Sequence, residues 1–393
     1  MLRRSLLALF ASAAAAACAA GPASSGSAGA ALEVEQTVAA SASDIAILFP
    51  LAAGLWPASR ALGDGRALLP EPILQALGAL VEGDSAATTY PRLRVVSLRL
   101  EPCFRRLSGA AVAAACEHQL RFVLQPVVLD PRGTLPTTTL DAAVHVIYAL
   151  PPAAFAELVR ELVALRPADA PASSTLGVHP RLAAEGPGGA FGRELERRVL
   201  PKAAQGRLTR VTSMGVRGRG NEWHFAGVEI GPRGELAPVP IPAAGARLQS
   251  LVLQRGAQTF LKSLSPPTAG ADDLSLLFDS LSATAASTTE LRGALRAANR
   301  IESPELRSSE DTDCATCHTV ASSRAWAERT FGLREDSDRF LAGGVESGAG
   351  AVASADLGVL RAFGYFGSEI VISKRAVNEI ARATRIIRGE SRP

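Results

Sequence analysis

Near the C-terminus the run Asp313-Cys314-Ala315-Thr316-Cys317-His318 sets two thiols three positions apart, followed at once by an imidazole. In a helical turn two such cysteines face the same way. Each sulfur can then add to one vinyl group of a porphyrin, and the anchored ring lies where His318 can ligate its iron. Asp311, Thr312 or Asp313 is expected to cap that turn. Other chemistry can use this spacing. A dithiol redox site opens a helix after a strand in a βαβ unit, and no such pattern precedes Cys314. A zinc knuckle needs four ligands, and no second Cys/His cluster lies within its usual spacing. A plain disulfide between Cys314 and Cys317 is the remaining alternative. With five Cys and five His in 393 residues, a chance C-x-x-C-H is rare.

Covalent haem attachment belongs to the exported side of a membrane, so the N-terminus bears on the same question. Arg3 and Arg4 precede an apolar run, Ser5 to Ala17, too short to span a bilayer. Residues 1–18 read as an export signal. Ala15-Ala16-Ala17-Cys18 resembles a lipobox, with Cys18 as the lipidated residue, although Ala stands where Leu is usual. The Gly/Ser/Ala/Pro-rich stretch 19–39 would then be a flexible tether. An ordinary A-x-A cleavage, giving a soluble periplasmic protein, is the competing reading. In an oxidising compartment Cys103 and Cys116 are the expected structural disulfide.

The elements that must position the motif fall into two groups. Residues 40–262 predict an α+β domain of mostly antiparallel sheet with covering helices. Strand patterns run over 92–100, 121–130, 142–149, 208–216, 223–230 and 248–253, with Pro126 suggesting an edge or a bulge. Helices are expected over 152–165, between Pro152 and Pro167, and over 191–200. A boundary is read at 263–270. Beyond it, 271–393 predicts a small helical region, with helices over 272–281, 288–300 and 375–387. The glycines near 343–350 lack phosphate-loop spacing and read as a loop.

The segment "DCATCHTVASSRAWAE" resembles the haem-attachment region of c-type cytochromes, and the closing helix at 375–387 is similar in position to theirs. The likeness covers about the last ninety residues, and only Cys314, Cys317 and His318 match a specific motif. It implies an all-α cytochrome c-like domain with one covalent haem c, and a redox partner protein. The whole chain also resembles bacterial predicted lipoproteins with a single C-terminal motif of this kind, a likeness that implies no activity.

The departure from the family is the distal ligand. No Met and no His follows His318. The ligand is then unknown: Met214 and His224 are weak candidates from the sheet, Lys374 and Tyr365 unusual ones. His145, with Asp141 and Tyr148 close in sequence, reads as a hydrogen-bonded structural histidine. A formal charge of +3 with 20% charged residues gives no reason to invoke nucleic acid or an anionic membrane surface, so any membrane contact would be by the lipid anchor. No nucleophile elbow, zinc-protease motif or phosphate loop is present. The function expected is one-electron transfer by an exported monohaem protein. An enzyme or sensor with an open distal site is the alternative, and a non-haem envelope lipoprotein with a Cys314–Cys317 disulfide is another.

Overall fold

In the computed structural model, alternating apolar and polar residues build one large antiparallel sheet whose two faces have opposite chemistry. The described residues are 38–390, apart from 105–106, 109–110, 113–115, 130–136, 168–171, 218–221, 242–247, 254–260, 264–271, 279, 349–350 and 353–362. The expected signal, the expected tether up to residue 37 and the lipidation candidate Cys18 therefore lie outside them.

Eight strands follow one another across the sheet in chain order: β1 (Ala46–Leu48), β2 (Leu93–Phe104), β3 (Glu117–Val128), β4 (Ala143–Leu150), β5 (Arg207–Arg217), β6 (Glu222–Ile230), β7 (Leu248–Leu253) and β8 (Leu261–Ser263). Every neighbouring pair is antiparallel. Pro126 sits in β3, an interior strand, rather than on an edge. Its residue pairs with Leu93 of β2, while the ladder to β4 has already ended at Leu124. Its missing N–H therefore interrupts no bond on that side. Cys103 and Cys116, at facing ends of β2 and β3, form the expected disulfide with Cα atoms 4.5 Å apart.

The two-residue period separates the faces. Leu98, Leu100, Leu120, Phe122, Leu124, Val144, Val146, Tyr148 and Val211 share one face and are all at most 2% exposed. Helices α1 (Pro152–Ala164) and α2 (Ala190–Gln205) cover it, with Phe155 of α1 stacked on His118 at 5.0 Å. Burial of large apolar side chains contributes roughly 1.5–3 kcal/mol each, so this layer carries the stability of the sheet.

The opposite face bears Arg99 and Glu101 of β2, Gln119 and Arg121 of β3, His145 of β4, Arg210, Thr212 and Met214 of β5, and Phe225 of β6. The C-terminal segment packs on the sheet through α4 (Cys314–Phe331), β9 (Phe363–Phe366) and α5 (Lys374–Ile387), with α3 (Thr288–Glu302) against α4 and α5 and β10 (Glu369–Ile372) paired to β9. The region is thus not all helical, because β9 and β10 pair as an antiparallel hairpin between α4 and α5. The hairpin leans on the sheet through Gln125, whose Nε2 donates to Tyr365 O at 2.9 Å while its Oε1 accepts from Tyr365 N at 2.8 Å. Residues 34–393 form one compact unit. Among the described residues no helix is long and apolar enough to cross a membrane.

Candidate functional site

The motif occupies the first turn of α4. Asp313, fully buried, is the N-cap: its extended backbone (φ −67°, ψ 157°) lets Oδ1 accept from Thr316 N at 2.9 Å, and Cys317 N donates to Asp313 O at 3.0 Å. Of the three caps the sequence allowed, Asp313 does the work. Asp311 instead braces the preceding loop, accepting from Ser308 N and from Thr312 Oγ1. The helix then runs on small residues, with Ala315, Thr316, Thr319, Ser322 and Ser323 all buried.

Cys314 and Cys317 are both free thiols, not bonded to each other. Burial pushes Cys314 up to about 12, with help from Cys317 and Asp313, and pushes Cys317 up to about 11. A dithiol oxidoreductase needs the opposite, a thiol lowered toward neutrality. Among the described residues no three His, Cys, Asp or Glu side chains converge as they would on a bare metal ion. The His318 ring lies against Phe225 of β6, centroids 5.2 Å apart and tilted by 42°. The motif therefore faces the polar side of the sheet.

That side holds an arginine–glutamate layer. Arg99 Nη1 meets Glu379 Oε2 of α5 at 2.7 Å, and Arg375 Nε donates to Glu379 Oε1 at 2.8 Å. Burial alone would raise the Glu379 carboxyl, but Arg99, Arg375 and Arg121 outweigh it and hold it far below the usual carboxylate range. Arg382 reaches Glu101 at 3.2 Å, and Arg210 pairs with Glu229 and Glu310. Arg121 differs. It is 9% exposed, its one hydrogen bond among the described residues is Nε to Gln119 Oε1 at 2.7 Å, and its guanidinium lies 5.0 Å over the Phe104 ring. Burial and the neighbouring Arg99 bring it down to about 10. Among the described residues five guanidiniums (Arg99, Arg121, Arg210, Arg375, Arg382) thus face four carboxylates (Glu101, Glu229, Glu310, Glu379), and Arg121 has none of them in direct contact.

Several groups between the sheet and the helices keep some accessible surface. Arg99, His145, Thr212, Cys317, His318 and Glu379 are half-buried, while most of their chain neighbours are fully buried. Burial is nonetheless the largest influence on the ionisation of His145, Cys317 and Glu379. Partial exposure of groups whose ionisation burial nonetheless governs points to a recess between the sheet and the helices.

The remaining candidates fall in different places. Met214 pairs with Phe225 and shares its face, 3% exposed. His224 is one residue out of phase with Phe225, so it lies on the opposite face of β6. Tyr365 is engaged elsewhere, its hydroxyl donating to Phe49 O at 2.6 Å. Lys374 opens α5 near Glu302, and burial lowers its pKa. His145 is the residue the sequence misplaces. Tyr148 lies on the other face and donates to Leu68 O at 2.7 Å, and no hydrogen bond to His145 exists among the described residues. Burial, then His318, Arg99 and Arg121, hold the imidazole neutral down to about 3.

No family model matches the chain, no curated protein matches it, and no solved structure matches it.

Proposed function

We propose that the chain is an exported monohaem c-type protein: Cys314 and Cys317 carry one covalent haem c, and His318 is the proximal iron ligand. When bound, the haem supplies one-electron chemistry between ferric and ferrous iron. The observation that carries this reading is the pair of unbonded thiols in the first turn of α4, with His318 next to them against Phe225, along a recess inside the fold. The residues present suit the group. Asp313 fixes the turn that aims both sulfurs, Phe225 sets the plane of the His318 ring, and the apolar sheet face beneath needs nothing from the site. Arg121, a buried cation without a carboxylate partner, suits a porphyrin's carboxylates.

The disulfide at Cys103 and Cys116 supports an oxidising compartment, in line with export and with a lipid anchor at Cys18. The partner is a redox protein. A second reading, an enzyme or sensor with an open distal site, is favoured by the absence of Met and His after His318. The test is expression with a haem-maturation system, followed by a haem-stained denaturing gel and a pyridine-haemochrome spectrum. Wild type is expected to stain and Cys317→Ala to lose most of the covalent haem. An unstained wild type removes both haem readings.

A further inference from the structure

We propose that His145 supplies the second axial nitrogen to the haem iron, from β4 on the sheet side of the recess. The inference rests on the haem reading and adds the ligand that the sequence leaves without an owner. Three observations carry it.

The first is register. His145 pairs with Val123 on β3 and Thr212 on β5, and Arg121 is its diagonal neighbour. Phe225, which holds the His318 ring, pairs with Met214, which pairs in turn with Ala143. His145 and Phe225 therefore project from the same face, two strands apart, on the order of 10 Å across the sheet. The recess lies above that face, so one histidine comes to it from the helix and the other from the sheet.

The second is the state of the side chain. An interior histidine ordinarily spends its ring nitrogens on hydrogen bonds. His145 makes none among the described residues, and the ring is not sealed off, since it keeps accessible surface. An imidazole with both nitrogens uncommitted, on the sheet face whose Phe225 meets the His318 ring, is a donor without an assigned acceptor.

The third is elimination by placement. His224 is on the other face, His118 Nδ1 is within hydrogen-bond distance of Pro102 O at 2.5 Å, and His179 is stacked on Phe191. Tyr365 is committed to Phe49. Among the described residues Met214 is the competitor on the same sheet face and Lys374, near Glu302, the one from a helix, and a thioether or an amine gives a different spectrum.

The test uses the full-length protein matured with covalent haem. Optical, near-infrared magnetic circular dichroism and electron paramagnetic resonance spectra are recorded for wild type, His145→Ala, His145→Met and Met214→Leu. Wild type is expected to be low-spin in both oxidation states with a bis-imidazole signature. His145→Ala is expected to keep its covalent haem but turn high-spin, and to return to low-spin when free imidazole is added. His145→Met guards against a folding defect: a sulfur–nitrogen signature in place of the bis-imidazole one requires that position to touch the iron. A stained His145→Ala whose low-spin spectrum is unchanged overturns the proposal, as does a high-spin wild type or a change of ligand caused by Met214→Leu instead. An unstained wild type fails the haem reading itself, which the gel shows before any spectrum is taken.

Discussion

Arg99 of β2 and Glu379 of α5 form a 2.7 Å ion pair that ties the last helix of the fold to its second strand. Their side chains are only 12% and 15% exposed. Both charges are largely removed from water, and Glu379 is shared with Arg375, so removing the carboxylate leaves two guanidiniums without it. Breaking such a pair from one side costs roughly 3–5 kcal/mol, because a buried charge is left behind. Glu379→Gln is expected to lower the thermal midpoint well beyond a typical surface substitution. The double variant Arg99→Met with Glu379→Leu should recover part of the loss, the remainder reflecting Arg375, which loses the same carboxylate. A sum of two independent penalties in a double-mutant cycle would count against coupling.

The same carboxyl gives a pH dependence of fixed sign. The folded protein holds Glu379 far below the ordinary carboxylate range, with burial opposing and three arginines prevailing. Its contribution is therefore fully present above the unfolded value near 4.3 and is lost as pH falls toward the folded value. His179, stacked on Phe191 at 4.5 Å, acts in the same direction through a different cause. Burial and Arg181 lower it to about 4, so between about 6.5 and 4 the unfolded chain binds a proton that the fold refuses. Stability should decline over that window, and His179→Phe should flatten the upper part of the decline in a denaturant titration repeated at each pH.

Much of this architecture is legible in the sequence, and the misses have physical causes. Alternation marks β2, β4, β5 and β6, and bracketing prolines mark α1, because period and punctuation are local properties. The β9–β10 hairpin escapes notice because it is short and follows a Gly/Ala-rich stretch without clean alternation. His145 is misjudged for a different reason. Proximity in sequence suggests Asp141 and Tyr148 as partners, yet the two-residue period already puts Tyr148 on the far face. The groups that matter to His145 come from β2, β3, α4 and α5, brought together only by the meander and the returning helix.

Asp313 offers a clean local test of the motif's geometry. Its carboxylate accepts the Thr316 amide at 2.9 Å and so fixes the turn that aims both cysteines. Asp313→Ala should cost about 1 kcal/mol of stability from loss of the cap, and Asp313→Asn much less. The yield of covalent haem is expected to follow the same order. Equal yields in all three proteins would separate the cap from attachment.

The disulfide closes a short loop, thirteen positions apart in sequence. Cross-linking over that distance contributes about 3 kcal/mol in the chain-entropy account. Replacing both Cys103 and Cys116 by Ser should lower the unfolding free energy by about that amount and abolish the effect of added reductant. The pair lies beside Arg382, whose Nη1 reaches both Glu101 and Cys103 O. Loosening this corner should therefore also weaken the docking of α5, visible as faster amide exchange in that helix.

Arg121 links the electrostatics of the recess to its proposed redox role. Its guanidinium is buried, contacts no carboxylate among the described residues, and sits diagonally from His145 on the same face. A buried cation disfavours the extra positive charge of ferric iron, so it raises the reduction potential of a haem in the recess. At an effective dielectric near 20, one charge about 10 Å away acts with roughly 1–2 kcal/mol, a shift of tens of millivolts. Arg121→Gln is expected to lower the midpoint potential of the matured protein by that order, with the axial-ligand spectrum unchanged. Arg60→Gln, altering a half-exposed pair with Glu196, should leave the potential where it is. A spectroelectrochemical titration that moved neither protein would place the haem out of reach of the arginine layer and assign that layer to holding α5 on the sheet.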